Sequence, residues 1–283
     1  MSGEMRLISK AGKTFYFATL WLEKQVRFDA ALAYDFCRTV DDIADGTLSD
    51  TERDTQLREI ALAVTHGDTE QKLVRPLAPL IARFPEIREP LAALVEACRT
   101  DTASLHIHSE EDLERYAFGV AGNVGLIMYP ILGGRADDGR SYAADLGIAM
   151  QYTNIARDIF EDLARNRVYV PTSWTGEQDM RKLGADITSS EQVVVEAVRR
   201  LLKRADERYT RGLSGISYLA PENRFAIRVA ARCYAAIGER VIRDGHLARE
   251  RAVVPLSRKI VLACSMGLFG ERKSNYERSS CET

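Results

Sequence analysis

Apolar residues recur at three- and four-residue intervals through most of the chain, with no sustained alternation, so the pattern predicts an all-α protein. The spacing predicts one long helix over 22–45, carrying Phe28, Leu32, Phe36, Val40 and Ile43 and stopping near Gly46. Ser49 or Asp50 then caps a helix to about His66, and His66-Gly67-Asp68 forms a turn. Amphipathic helices follow over 70–83 and, after Pro85 and Pro90, over 91–104. Ser109-Glu110-Glu111-Asp112 places acids at the next helix start, where the helix dipole favours them. From Ala117 to Gly134 that helix is almost wholly apolar and approaches transmembrane length, but Asn123 and Pro130 interrupt it and Gly119, Gly122 and Gly125 stud it. A buried central helix is expected, its glycines admitting a partner helix or a long lipid chain.

Beyond Gly133-Gly134 a helix is expected from Ser141 through Asp158, then an irregular stretch around Trp174. A helix over 189–213 follows, with Arg199, Arg200, Lys203, Arg204 and Arg208 on a solvated face. Pro221 starts another, in which Tyr234 and Arg240 look inward, and basic residues Arg251, Arg258 and Lys259 lie near the last helix. With no repeat, low-complexity block or interdomain linker, one domain over 1–270 and a disordered polar tail over 271–283 are expected.

Two helices carry polar stripes that an ordinary core-facing helix would not. In the first, Tyr34, Arg38, Asp41 and Asp45 share a face; in the second, Gln151, Asn154, Asp158 and Asp162 do, with Arg157 and Glu161 beside them. Carboxylates at i, i+4 repel by roughly 2–3 kcal/mol per pair at an effective dielectric of ~20, and by much less when fully solvated. Most such pairs are simply wet. Here the interleaved amides and arginines favour a site for metal ions and anionic oxygens, since magnesium takes one or two carboxylates and completes its shell with water and phosphate. A magnesium–diphosphate site is therefore expected.

Arg38-x-x-Asp41-Asp42-x-x-Asp45, with Asn154-x-x-Arg157-Asp158-x-x-x-Asp162 and the following Asn166-Arg167-Val168-Tyr169-Val170-Pro171, resembles the two aspartate-rich motifs of the squalene/phytoene synthase family. Tyr116, Val120-Ala121-Gly122 and Val124-Gly125 resemble a third signature of that family, and the likeness runs from about Lys13 to Lys259. The resemblance implies an isoprenoid synthase fold, a helical bundle around a central cavity. It implies that Asp41, Asp45, Asn154, Asp158 and Asp162 hold Mg2+, with Mn2+ as a substitute. Asp41, Asp45, Asp158 and Asp162, with Tyr34 and Tyr116, would be catalytic, and Arg38, Gln151, Asn154, Arg157, Arg167, Arg251, Lys13 and Phe15 would bind substrate, with Arg258 and Lys259 as further candidates for holding diphosphate near the last helix. Gly12 and Thr14 stand where the family has serines beside Lys13 and Phe15.

The implied activity joins two prenyl diphosphates head-to-head through a cyclopropylcarbinyl diphosphate. The motif segments resemble bacterial phytoene synthases more than squalene synthases, which points to two geranylgeranyl diphosphates giving phytoene. The alternatives are a C30 synthase making squalene, dehydrosqualene or presqualene diphosphate, with NADPH needed only for squalene, and a diverged terpene synthase. Thr19 and Ala31 are expected to line the hydrocarbon tunnel and to favour the C20 substrate. Ala97-Cys98-Arg99-Thr100-Asp101 departs from the Gly-Met…Asp segment of phytoene synthases. A lipid-binding or assembly protein is the non-enzymatic alternative, against which stand the four motif aspartates with Arg38 and Arg157.

Composition narrows the setting. The 283 residues are 46% hydrophobic, ample for a buried core, and a net charge of -2 argues against a nucleic-acid binder. Five cysteines without CxxC spacing suit a reduced, cytoplasmic chain, and the amino terminus has no apolar run long enough for a signal peptide. Substrates with C15 or C20 tails partition into membranes, so peripheral membrane contact is expected. His106-x-His108 has no third ligand at suitable spacing and reads as structural rather than metal-binding.

Overall fold

The computed structural model describes residues 13–101, 106–165, 167–175, 191–244 and 251–266, and among them there is no strand. The helices are α1 (Lys13–Thr19), α2 (Lys24–Ala44), α3 (Asp50–His66), α4 (Ala78–Arg83), α5 (Arg88–Asp101), α6 (Glu110–Ala117), α7 (Asn123–Ile131), α8 (Asp138–Ala164), α9 (Glu191–Ser214) and α10 (Pro221–Arg243). A last helix, α11, occupies 256–266. The all-α expectation therefore holds, and the expected tail lies outside the described residues.

Local chemistry sets the ends. Ser49 accepts from the Glu52 N–H while the Glu52 carboxylate accepts from the Ser49 N–H, closing the start of α3, and Ser109 and Asp112 do the same for α6. The helix expected over 70–83 does not form as one piece, because Pro76 and Pro79 lack the N–H it needs; the chain makes a tight turn at Arg75–Leu77 and resumes as the short α4. The same residue type moves α5 the other way. Pro90 sits in its first turn, where a missing N–H costs nothing, so α5 starts at Arg88 rather than Leu91; it ends at Asp101, and 102–104 lie outside the described residues.

The long apolar helix expected over 117–134 is divided by a π-turn at Phe118–Gly122 between α6 and α7. Such wide turns are uncommon and tend to accompany functional sites. Here it puts Val120 and Ala121 on a cavity wall.

Two apolar cores flank that cavity. One gathers Phe36 and Val40 of α2, Leu57 and Ile60 of α3, Leu91 and Leu94 of α5, and Ile127 of α7. The other gathers Ile148, Tyr152 and Ile155 of α8 with Val198 and Leu201 of α9 and Val229 and Ile237 of α10. α8 is the axis, packing against α6, α7, α9 and α10. Its crossing with α7 is backbone to backbone: a Cβ on Gly125 would land on the Ala143 carbonyl oxygen, and one on Gly147 on that of Ala121. We expect Gly147→Ala to force the helices apart and destabilise the fold by about 1–3 kcal/mol, measured by denaturant unfolding.

The expected solvated face of α9 is only partly so. Arg199, Arg200 and Lys203 are exposed, but Arg208 reaches inward to Asp145 of α8, which is 1% exposed.

Candidate functional site

A cavity of about 640 Å³ lies between the two cores, within the range of small-molecule sites. Its apolar wall includes Phe15, Thr19, Leu22, Val124, Met128, Leu146 and Met150, and its polar wall brings together the two stripes expected from sequence. Tyr34, Arg38 and Asp41 come from α2 and Asp45 from the cap at its end, and Gln151, Asn154, Arg157, Asp158 and Asp162 come from α8, joined by Tyr116, Arg167 and Arg251. Helical periodicity alone aims each set at one side, so the two helices need only face one another.

The carboxylates are unequal. Burial and then the neighbouring Asp45 push Asp41 up to about 6, although half of its side chain is open. Burial and then Asp158 push Asp162 up to about 7. Asp158 goes the other way: burial works against its charge, but Arg157 and Arg251 outweigh it and hold the carboxyl below its usual range. The Arg251 fork donates from Nε to Oδ1 at 3.0 Å and from a terminal nitrogen to Oδ2 at 3.1 Å, while Arg157 Nε donates to Oδ1 at 2.7 Å. Arg167 pairs with Asp45, and Arg38 with Asp41 at 3.2 Å and Asp42 at 2.8 Å.

Two stacked aromatic pairs border this charge. Phe15 lies on Tyr34 with ring centroids 4.3 Å apart, and Tyr116 on Tyr169 at 4.8 Å. Tyr234 lines the cavity as expected, its hydroxyl pKa raised by burial.

Several expectations are corrected. Arg240 does not look into the cavity but pairs with Asp244 at 2.6 Å. Ala31 is buried in protein and does not line the cavity, whereas Thr19 does. Arg258 is exposed in a separate groove, and Lys259 is buried away from the cavity wall. The Lys13 side chain lies outside the described part of the structure, as do Gly12 and Asn166.

Sequence reasoning named Asp101 only within a departing segment and gave neither it nor Tyr169 a role in the site. Tyr169 donates to Asp101 at 3.4 Å, and burial raises the Asp101 carboxyl to about 6 against the opposing pull of Arg167. The signal was present: Leu94, Cys98 and Asp101 stand at i, i+4 and i+7, which places a carboxyl on the buried stripe of α5.

Among the described residues no three His, Cys, Asp or Glu side chains form a closed chelate. His108 bonds Thr172 at 2.7 Å instead. The donor set still suits hard divalent cations, because the crowding of Asp41 by Asp45 and of Asp162 by Asp158 is relieved by any cation between them, and magnesium leaves most of its shell to water and phosphate.

A pH dependence follows. Asp41 and Asp162 hold a proton more tightly folded than unfolded, so the folded state carries more protons between the ordinary carboxylate range and about pH 7, and stability falls as pH rises through about 6 and 7. We expect thermal unfolding without divalent cation to show this slope and magnesium with pyrophosphate to reduce it; a flat profile without cation would remove the crowding argument.

Among the described residues no helix is long and apolar enough to cross a membrane. The chain is similar over most of its length to known phytoene synthases. The chain is 32% identical over 270 residues to the 15-cis-phytoene synthase of a Paracoccus species, covering 90% of this chain and 86% of that protein. It is 32% identical over 247 residues to the phytoene synthase of Rhodobacter capsulatus, covering 83% of this chain and 71% of that one. A crystal structure of a dehydrosqualene synthase in complex with ligand superposes with a TM-score of 0.78 at 26% identity, covering 94% of this chain and 95% of the other. The squalene/phytoene synthase profile matches residues 8–258, and the chain belongs to that family.

Proposed function

We propose that the protein is a magnesium-dependent prenyltransferase that condenses two geranylgeranyl diphosphates head-to-head to phytoene. The observation that carries this reading is the facing of the α2 and α8 aspartates at the polar wall of an otherwise apolar cavity. Its likeness to phytoene synthases over most of its length supports the choice of product.

Asp41, Asp45, Asn154, Asp158 and Asp162 would hold the metal. Bound there, magnesium supplies Lewis-acid neutralisation of the diphosphate. The arginines do the rest of the binding: Arg38, Arg157, Arg167 and Arg251 offer forked donors to phosphate oxygens and keep hold of the leaving pyrophosphate. When the C1–O bond of one substrate breaks, the electron pair leaves with pyrophosphate and an allylic cation remains. The Phe15–Tyr34 and Tyr116–Tyr169 faces border the charge that forms, and the apolar wall keeps water from quenching it. The double bond of the second substrate then attacks C1, and proton loss closes the cyclopropane. A second ionisation, rearrangement and proton loss give the linear C40 product with no reductant.

A C30 reading has support in the fit to a dehydrosqualene synthase structure. Both are tested by incubating the protein with magnesium and geranylgeranyl or farnesyl diphosphate, with and without NADPH, and identifying products by mass spectrometry. A C40 product from geranylgeranyl diphosphate alone is expected. A C30 product from farnesyl diphosphate alone would move the assignment to the shorter chain, and no hydrocarbon from either would overturn the prenyltransferase reading.

A further inference from the structure

α11 is apolar on the wrong side. Lys259, Leu262 and Ala263 turn inward, while Leu256, Ser257, Ile260, Val261 and Cys264 are exposed. At 100° per residue those five outward positions fall within one arc of about 140°. Leu256 is 62% exposed, Val261 55% and Ile260 48%, and Val253 just before the helix and Ile242 near the end of α10 are also half open or more. Single exposed apolar side chains are ordinary, but a helix apolar on both faces calls for a second apolar environment.

The surroundings say which one. Arg240, Arg243 and Arg258 line one shallow groove with Val254 and Pro255 beside this face. Glu239 and Asp244, the nearby acids, are already paired with Arg232 and Arg240, and among the described residues neither Arg243 nor Arg258 has an acidic partner. Of the basic residues described between Arg240 and Met266, Arg240 and Arg251 are held by Asp244 and Asp158 and Lys259 is buried, so Arg243 and Arg258 carry the exposed positive charge here. An apolar face beside basic residues is complementary to an anionic bilayer, where Arg near the surface attracts the charged lipid and the apolar side chains enter the headgroup boundary.

The position matters too. The segment that leads into α11 carries Arg251, whose fork closes on Asp158 at the polar wall of the cavity.

We propose that the outward face of α11, with Val253, Ile242 and the flanking arginines, docks this enzyme on anionic membranes, so that the bilayer lies beside the cavity its greasy substrates enter. This deepens the prenyltransferase reading by naming the surface through which lipid-soluble substrate would arrive. The test is flotation of the full chain with vesicles of phosphatidylcholine alone or mixed equally with phosphatidylglycerol. Wild type is expected to bind the mixed vesicles at least tenfold more strongly than phosphatidylcholine alone. An Ile260→Asp, Val261→Asp double variant is expected to lose at least tenfold in binding at unchanged thermal stability. Arg243→Glu with Arg258→Glu is expected to lose binding and its salt sensitivity.

Equal vesicle binding by wild type and the Asp double variant would overturn the proposal. So would a wild-type dimer that the double variant dissolves without any vesicle binding, which would give this face to a second copy of the chain. Turnover of detergent-dispersed substrate is expected to be the same in wild type and variants. Vesicle binding by a wild type inactive on dispersed substrate would therefore fault the prenyltransferase reading and leave the docking surface standing.

Discussion

Asp158→Ala is expected to lower turnover by about a thousandfold while leaving the fold intact, a loss of roughly 4 kcal/mol of transition-state stabilisation. The change removes a carboxylate that would hold metal, and it also frees Arg157 and Arg251, which both close on it. The polar wall gains one positive charge, and Asp162 loses the like charge beside it. Binding of pyrophosphate alone should therefore survive or tighten while the chemical step fails. Comparing kcat with pyrophosphate affinity by calorimetry separates this outcome from a merely structural one, in which both would fall together. Asp41→Ala is expected to lose turnover similarly from the opposite helix, without freeing those two arginines. Near wild-type turnover in either variant would overturn the metal-site assignment.

The largest stability effect is expected far from the aspartate stripes. Asp145 is 1% exposed and is held by Arg208 at 2.5 Å and Arg211 at 3.1 Å, while Arg208 also reaches Glu114 at 2.5 Å. These ion pairs tie α6, α8 and α9 together. Arg208→Met leaves the buried carboxylate with the more exposed of its two partners, and a broken buried pair costs about 3–5 kcal/mol. We expect about 3 kcal/mol, or roughly 6–12 °C in Tm by calorimetry, with a smaller effect on kcat. A loss well under 1 kcal/mol would mean that Arg211 and solvent suffice for Asp145.

The two polar stripes were legible because they depend only on helical period, and both helices form: Arg38 and Asp41 on α2, Asp45 at its cap, and Asn154, Asp158 and Asp162 on α8 meet the same cavity. The cap at Ser49 and the acidic start of α6 were legible for a similar reason, since both are local patterns. What failed was whatever depends on backbone detail or on distant partners. Two prolines replaced a smooth helix over 70–83 by a turn and a short α4, although the same residue type opened α5 early. The π-turn at Phe118–Gly122 has the composition of any small-residue helix segment, and its widening belongs to the packing against α8 and α5. Arg208 looked like its exposed neighbours because the aspartate it meets lies 63 residues earlier in the chain. Asp101 was readable from its place on a buried stripe, but its meaning comes from Tyr169 and Arg167, which arrive from beyond the end of α8.

The ion pairs of the polar wall carry one more consequence. Arg251 already holds Asp158, Arg167 holds Asp45, and Arg38 holds Asp41. Under the proposed function, substrate capture would be an exchange of partners: each arginine would trade a carboxylate for a phosphate, and each carboxylate an arginine for a cation. The free energy of capture would be the difference between two sets of strong contacts, and would stay modest even though each contact is strong. The same exchange run backwards would give every arginine somewhere to return, so that a highly charged leaving group could depart once the hydrocarbon has formed.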